Sequence, residues 1–596
     1  MKTEAAEDIL AAAYEHAPGE APPHQRPDGL PSGFRLAPDG IHRRVDGKDG
    51  DSEWKWLCSP IRVLALPRDR SGKGWGRLVE VTDPDGLRHR WAAPMRLFAG
   101  DGTELRAELM DRGLQLASGA AAKAALGDLL AQWRPKARAI TADRLGWSDE
   151  ACAAFVLGDG RVLGEGEVVY QSETTPGAAE AMTASGDLAG WRGTVAAVCV
   201  GNPLLIVSVS LAFSGPLLEP LAMDGGGLHL RGASSRGKST ALRAAASVWG
   251  SPRFVQSWRA TSNGLEGVAV ACNATLLALD ELGEVSGREA GAAAYMLANG
   301  TGKARASRTG AARRAARWRV ALLSSGEISL ADKMAEAGGR AAAGQEVRLL
   351  DLAATERRFG TFDDLHGAAD GAAFADRVRE ATAAHHGTAG PAFVARFLAE
   401  RADALAALRQ ARDAFVRLAS DRFGLGEEGQ SIRAAARLGL IAAAGELATE
   451  WALTGWPVGA ARDAALDALG LWLDGRGGAG PAEAREAQRR VRAFLAAHGT
   501  SRFEVLHDWQ GEDVEPLRPV YNRAGWRKSD VFYISADAWR EIHAGADPAR
   551  AARHLAEAGF LESGDGRNLA VRMPVAVAGR PRAYAVRAAI LGGADE

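Results

Sequence analysis

Leu228-His-Leu-Arg-Gly-Ala-Ser-Ser-Arg-Gly-Lys-Ser-Thr-Ala-Leu-Arg243 reads as a short apolar strand, a glycine-bearing turn and the start of a helix. The turn fits G-x-x-x-x-G-K-[ST] at Gly232, Gly237, Lys238 and Ser239. Glycine at both ends lets the backbone aim consecutive N–H groups at phosphate oxygens, and the following helix adds its positive N-terminus. On this reading Gly232, Ala233, Ser234, Ser235, Arg236, Gly237, Lys238, Ser239 and Thr240 cradle ATP. Lys238 reaches the β- and γ-phosphates, and the Ser239 hydroxyl ligates Mg²⁺. The competing reading of the pattern alone is an ordinary strand–turn–helix.

The stretch Ala274-Thr-Leu-Leu-Ala-Leu-Asp-Glu281 supplies the other half of such a site. It is an apolar strand tipped by two carboxylates, with Asp280 lying 42 residues after Lys238. In a P-loop ATPase, Asp280 holds Mg²⁺ through water and Glu281 polarises the attacking water. An Asp-Glu pair by itself is more often a solvated strand end; together with the upstream loop it predicts nucleotide hydrolysis.

Outward from this pair, the region from about 185 to 360 reads as a doubly wound α/β sheet with its phosphate loop at a strand C-terminal end. Candidate strands are Leu228–Leu230, Phe254–Ser257, Thr275–Leu279, Arg319–Leu323 and Val347–Leu350. The uncharged run Thr194 to Leu218 is long enough to test as a membrane span, but Gly201-Asn-Pro203 interrupts it. With Asn202 as N-cap, the helix from Pro203 is too short to cross a bilayer, which needs about 20 apolar residues.

At 596 residues, and about 100–200 residues per domain, the chain predicts three or four domains. Residues 1–30 read as a disordered tail rich in Ala, Pro, Glu and Gly. Residues 31–184 read as an N-terminal α+β domain with no catalytic constellation. Residues 185–370 form the ATPase core, and 371–482 a helical lid and linker. In the tail, 483–596, two short helices around Ala544-Gly-Ala-Asp547 precede a strand hairpin, the layout of a winged helix. Arg550 and Arg553 fall on its second helix; DNA contact and protein docking both remain open for them.

Charge is nearly balanced, 72 basic against 74 acidic residues, so any nucleic-acid contact must come from local patches. The clearest patch lies between Glu289 and Glu327, an interval with no acidic residue. It carries Lys303, Arg305, Arg308, Arg313, Arg314, Arg317 and Arg319. Such a loop suits gripping a phosphate backbone, and a solvated charge run is the alternative. Cys58, Cys152, Cys199 and Cys272 are far apart, which argues against a zinc ribbon or a disulfide framework and suits a reducing, cytoplasmic setting. The acidic N-terminus carries no signal-peptide pattern.

Three further polar residues sit near strand ends. Ser324 or Ser325 can stand beside a γ-phosphate and orient water, or close a plain turn. Arg348 falls in an apolar strand, where a charge is costly unless paired. It either pairs with Asp351 or projects as an arginine finger into a neighbouring subunit's site.

The ordered motifs Gly232–Thr240, Ser257-Trp-Arg-Ala-Thr-Ser-Asn-Gly-Leu-Glu266, Leu279-Asp-Glu281, Asn299-Gly-Thr-Gly-Lys-Ala-Arg305 and Leu323-Ser-Ser-Gly-Glu-Ile-Ser-Leu330 resemble domain of unknown function 927, whose members include the Cch-type helicases of mobile genetic elements. The resemblance covers roughly 35–400. It implies an AAA+ module akin to the MCM replicative helicases, a homo-hexameric ring, ATP-driven unwinding of DNA and a winged-helix C-terminus. It favours Arg348 as finger, makes 299–319 similar to a pore hairpin, and offers Arg433 and Arg437 as sensor 2 candidates on a lid helix. Many relatives carry a zinc-binding primase module, whereas this chain has no Cys cluster there, so a separate primase or loader is a further expected partner. A non-motor AAA+ loader or regulator, and a P-loop kinase acting on a small molecule, are the other functions the motifs allow. The basic insert counts against the kinase.

Overall fold

The computed structural model describes residues 26–46, 51–142, 144–170, 177–302, 305–306, 312–313, 315–338, 346–425, 429–476, 478, 482–506, 520–562, 568–573, 577 and 579–592. The chain divides into two compact units: Met1–Ala419 with Ala434–Trp472, and Ser420–Arg433 with Leu473–Glu596. With its several sheets and many helices, it is a multidomain α/β protein.

The first unit begins with two sheets. Phe34–Ala37, Gly40–Asp46 and Ser52–Cys58 pair antiparallel. A five-stranded sheet follows in the order Val168–Tyr170, Arg138–Ala142, Ile61–Arg68, Gly76–Thr82, Arg88–Pro94. Helices Thr103–Asp111 and Ala120–Gln132 bury Leu105, Leu109, Leu126 and Leu129 in one core with the fully buried Trp133.

The centre of this unit is built around helix α1 (Pro203–Ser214), of which every residue after Pro203 is buried. Pro203 occupies its first position, but Asn202 does not cap it with its side chain as the sequence suggested. The Asn202 amide instead accepts from Asp363 N (2.8 Å) and Asp364 N (3.0 Å) and donates to Asp364 O (2.8 Å). It thereby ties the helix start to a loop 161 and 162 residues later in the chain, and the backbone carbonyl alone takes the first helical N–H groups. Among the described residues, no helix is long and apolar enough to cross a membrane.

Five strands then form one sheet: β1 (Gly226–Arg231), β2 (Gln256–Ser257), β3 (Leu276–Asp280), β4 (Ala321–Gly326) and β5 (Leu349–Ala353). Their order is β2-β3-β4-β1-β5, and every pair is parallel. Parallel neighbours need crossovers, and helices α2 (Lys238–Ala246), α3 (Ser262–Ala271) and α4 (Gly287–Asn299) lie in three of them. With both faces covered, the strands are apolar almost throughout: Leu228, Leu230, Leu276–Leu279 and Ala321–Leu323 are all buried. The helices Gly371–Ala384, Ala389–Ala399, Arg401–Phe423, Gly429–Glu450 and Ala460–Gly475 follow.

The fourth strand starts later than its apolar run suggested and continues through Gly326, so Ser324 and Ser325 belong to the strand and not to a turn. The fifth begins at Leu349, one residue after Arg348. All four cysteines are free and buried, and burial pushes each thiol up to about 12.

In the second unit, α5 (Ala482–His498) precedes a sheet. The sheet runs in the order Phe503–Val505, Gly525–Lys528, Val531–Ser535, Arg582–Arg587, Leu561–Glu562, and Val571–Arg572 pairs with Arg582–Arg587. Helices α6 (Ala536–Ile542) and α7 (Pro548–Glu557) connect its strands. Asp547 caps α7 by accepting from Ala549 N (2.9 Å) and Arg550 N (3.3 Å), with Pro548 at the first position. Trp539 fills the core, stacked on Tyr584 at 4.4 Å, its indole N–H donating to Pro548 O.

Candidate functional site

Parallel register brings the carboxyl ends of β1, β3 and β4 to one edge of the sheet. Arg231 lies beside Gly326, and Leu279 beside Ser324, so the residues following each strand meet. The loop 232–237 leaves β1 at this edge and returns into α2.

Two glycines shape that loop. Gly232 has φ +150, and a Cβ there would lie 2.0 Å from the Thr355 hydroxyl. Gly237 has φ +97, and its Cβ would lie 2.4 Å from the Phe362 ring. Both positions combine a left-handed backbone with no room for a side chain. Ser235, at φ 57, adds a third left-handed residue. Ala233, Ser234, Ser235 and Arg236 are exposed, and Thr240 is buried in the first turn of α2.

The stretch after β5 lies over this loop. Thr355 Oγ1 accepts from Ala233 N (3.2 Å), and Thr361 N donates to Arg236 O (2.8 Å). Arg357 holds the stretch down through Asp363 (3.1 Å) and Asp467. No local pattern around Thr355 or Phe362 announces this contact, because it depends on where β5 delivers the chain.

Lys238, 6% exposed, donates to the loop carbonyls of Gly232 (2.8 Å) and Ala233 (2.6 Å). Burial pulls its ammonium below the ordinary lysine range, and the charges of Glu281, Glu327 and Asp280 oppose that shift. Asp280 Oδ1 accepts from Ser239 Oγ (3.3 Å) and from Ser325 Oγ. The same Ser325 oxygen accepts from Glu281 N (3.3 Å). Glu281 follows β3 in a left-handed conformation, φ 62, which a non-glycine residue keeps only when its surroundings enforce it. Burial raises its carboxyl above the usual range, and the neighbouring Asp280 and Glu327 raise it further. Lys238, Ser239, Asp280, Glu281 and Ser325 therefore converge on one edge.

Ser324, the adjacent serine, faces the other way. Its hydroxyl accepts from Trp258 Nε1 (2.8 Å) and meets His229 Nδ1 at 2.9 Å, while His229 Nε2 lies 3.0 Å from Ile328 O. A carbonyl can only accept, so Nε2 carries the proton and Ser324 donates to Nδ1. Burial holds His229 below the ordinary histidine range, which keeps it neutral in this chain of bonds. Trp258 and His229 are structural members that sequence reasoning did not single out, and so is Glu327 at the site itself.

Other candidates lie elsewhere. Arg348 sits at the opposite edge, where its carbonyl accepts from Gly227 N (2.8 Å) and its guanidinium lies 5.0 Å from the Tyr295 ring centroid. Across β1 this is roughly 15 Å from the loop 232–237 of its own chain, at about 3.3 Å per residue. Asp351 does not pair with Arg348: it takes Arg231, at 2.9 Å. Arg437 lies half-buried at that same far edge, donating to Val347 O (3.4 Å), and a Cβ on Gly226 would lie 2.8 Å from its guanidinium. Burial pushes it down to about 10. Its contacts hold it at the edge opposite the loop 232–237 of its own chain. Arg433 lies in the second unit.

The basic interval is a hairpin, with Arg305–Ala306 antiparallel to Ala312–Arg313 and Thr301 bridged to Arg317. Lys303 and Arg308 fall outside the described residues. At the base, the buried Trp318 donates to Leu297 O (2.9 Å). Arg319 is not part of the basic surface: it pairs with Glu219 (2.9 Å) and donates to Met223 O (2.6 Å). Arg550 and Arg553 are exposed on α7, around a depression that also includes Glu483, His554 and Glu557.

No curated protein matches the chain. Its fold is similar to that of a solved structure described as "SCCmec type IV Cch - active helicase", with a TM-score of 0.68 and 18% identity over 97% of this chain and 100% of that one. At this identity the likeness establishes a shared fold. Residues 34–318 match the family described as Domain of unknown function (DUF927).

Proposed function

We propose that the chain is an ATP-dependent DNA helicase or translocase, built on an AAA+ P-loop core and working as a ring of identical subunits in the replication of a mobile element. The observation that carries this reading is the convergence of Lys238, Ser239, Asp280, Glu281 and Ser325 at one edge of an all-parallel sheet. Support comes from the fold shared with a protein described as an active helicase, over nearly the whole chain.

The residues fit a magnesium nucleotide. The loop has glycines where a Cβ would collide, a lysine already bonded to loop carbonyls, and a hydroxyl and a carboxylate within 3.3 Å. Hard oxygen donors of that kind suit Mg²⁺. ATP bound here supplies the phosphoanhydride whose hydrolysis drives motion. Lys238 would exchange loop carbonyls for β- and γ-phosphate oxygens. Ser239 and Asp280 would hold the cation. Glu281, kept basic by burial and its acidic neighbours, would accept hydrogen bonding from the attacking water. Ser325, bonded to both Asp280 and the Glu281 backbone, would act as sensor 1.

Two further parts complete the reading. Arg348, at the far edge, would serve a neighbouring subunit's site, and the hairpin bearing Lys303, Arg305 and Arg308 would track one DNA strand. The second unit's order of strands and helices supports a winged helix, with Arg550 and Arg553 toward DNA. A non-motor AAA+ loader or regulator is the second reading; it keeps the same ATPase site without strand separation.

Lys238→Ala and Glu281→Gln test the site in an ATPase assay and a forked-duplex unwinding assay. Both variants are expected to abolish unwinding, while Glu281→Gln still binds ATP and loses about 10²-fold or more in turnover. ATP turnover unchanged by Lys238→Ala would end this assignment. Turnover without unwinding in the unmodified protein would favour the loader.

A further inference from the structure

A third carboxylate stands at the nucleotide edge. Glu327 follows β4 directly and is exposed, and the residues on either side of it are anchored. Gly326 O accepts from Gly232 N (3.1 Å), the first residue of the phosphate loop. Ile328 O accepts from His229 Nε2 (3.0 Å). Ser329 caps the next helix by accepting from Asp332 N (3.0 Å). The turn is also tightly packed: a Cβ on Gly326 would lie 3.0 Å from Leu282 Cβ and 3.1 Å from His229 Cε1. Glu327 is thus held between the phosphate loop and a neutral, buried histidine.

Resting on the nucleotide reading above, we propose that Glu327 is a fixed negative charge at the mouth of the site that makes nucleotide binding depend on the divalent cation, and that His229 is its positioning residue. Before a ligand arrives, Lys238 and the exposed Arg236 of the loop stand against Asp280, Glu281, Glu284 and Glu327. A free triphosphate would meet net negative charge there; its magnesium complex brings two positive charges that offset it. The charge of Glu327 acts on both Lys238 and Glu281, which agrees with this placement. Glu327 makes no bond to the loop itself, so its contribution is electrostatic and separable from the cradle.

The experiment is a titration of the full chain with a ribose-labelled fluorescent ATP, in magnesium and in EDTA, for the unmodified protein, Glu327→Gln, His229→Phe, the double variant and Lys238→Ala. Glu327→Gln is expected to tighten binding in EDTA about three- to tenfold and to change binding in magnesium by less than about twofold. An EDTA-to-magnesium affinity ratio unchanged by Glu327→Gln overturns the proposal. His229→Phe is expected to shift the ratio the same way, and to add nothing on top of Glu327→Gln; full additivity overturns the positioning role. Glu327 is exposed, so its variant remains informative even where His229→Phe does not fold. Lys238→Ala separates the two levels of the argument. Binding insensitive to Lys238→Ala removes the nucleotide site, whereas lost binding with an unchanged Glu327→Gln ratio removes this inference alone.

Discussion

The sheet edge that carries Lys238 and Asp280 and the basic hairpin are both built between strands of the same sheet, yet they are organised differently. At the edge, backbone register does the work: Leu279 beside Ser324 and Arg231 beside Gly326 leave Lys238, Asp280 and Ser325 little freedom in where to meet. In the hairpin, charge is plentiful but shared among different tasks. Arg319 is committed to Glu219, Arg317 stands exposed at the bridge to Thr301, and Arg305 lies on the paired arm. Counting charges along a chain therefore overstates a binding surface, whereas strand-end residues in a parallel sheet have nearly determined positions.

The two adjacent serines offer the sharpest way to break this comparison. If register decides function at the edge, neighbours on one strand must differ completely, because successive side chains point to opposite faces. Ser325→Ala is expected to lower ATP turnover at least tenfold with little change in thermal midpoint. Ser324→Ala removes a buried hydroxyl that joins Trp258 to His229 and is expected to cost about 1–3 kcal/mol of stability, leaving turnover per folded molecule within about threefold. Turnover and denaturation measured on both variants check this. Equal loss of turnover in the two would mean that the strand end acts as a unit.

The sequence carried the edge because its parts are local. A glycine-bounded loop before a helix, and a carboxylate pair after an apolar run, each obey rules that span fewer than about ten residues. The choice between Ser324 and Ser325 was not legible. It needed the strand's true limits, and the apolar run from Trp318 suggested a strand that starts two residues too early and stops three too soon. Arg348 and Asp351 looked like partners by proximity, but Arg348 precedes the strand that carries Asp351, and Asp351 reaches across to Arg231. Thr355, Phe362 and Asn202 act over long sequence separations, so no window of sequence around them contains the other half of the contact. Trp258 and Glu327 lay within quoted motifs, but only the fold gave them neighbours.

The hairpin gives the next test, of moderate size. Lys303→Ala with Arg305→Ala is expected to weaken single-stranded DNA binding and to lower the slope of log affinity against log salt by about 1.4, the release expected from two phosphate contacts. Arg319→Ala removes the ion pair with Glu219 and is expected to cost about 1 kcal/mol of stability while leaving the salt slope unchanged. Fluorescence anisotropy across a salt series distinguishes them. A slope that falls in Arg319→Ala as much as in the double variant would show that the base of the hairpin joins the DNA surface.

The smallest effect is expected at α7, where the environment is mixed. Arg550 and Arg553 are exposed, but Glu483 and Glu557 line the same depression. Carboxylates lining the same depression compete with phosphate for the guanidinium groups. Arg550→Ala with Arg553→Ala is expected to lower duplex affinity only a few-fold and the salt slope by at most about 1.8, equally across sequences. An unchanged slope in the same anisotropy assay would turn this helix toward a protein partner. That outcome would extend the contrast between the edge and the hairpin to the second unit: exposed arginines gain a function only where the fold keeps acidic neighbours away.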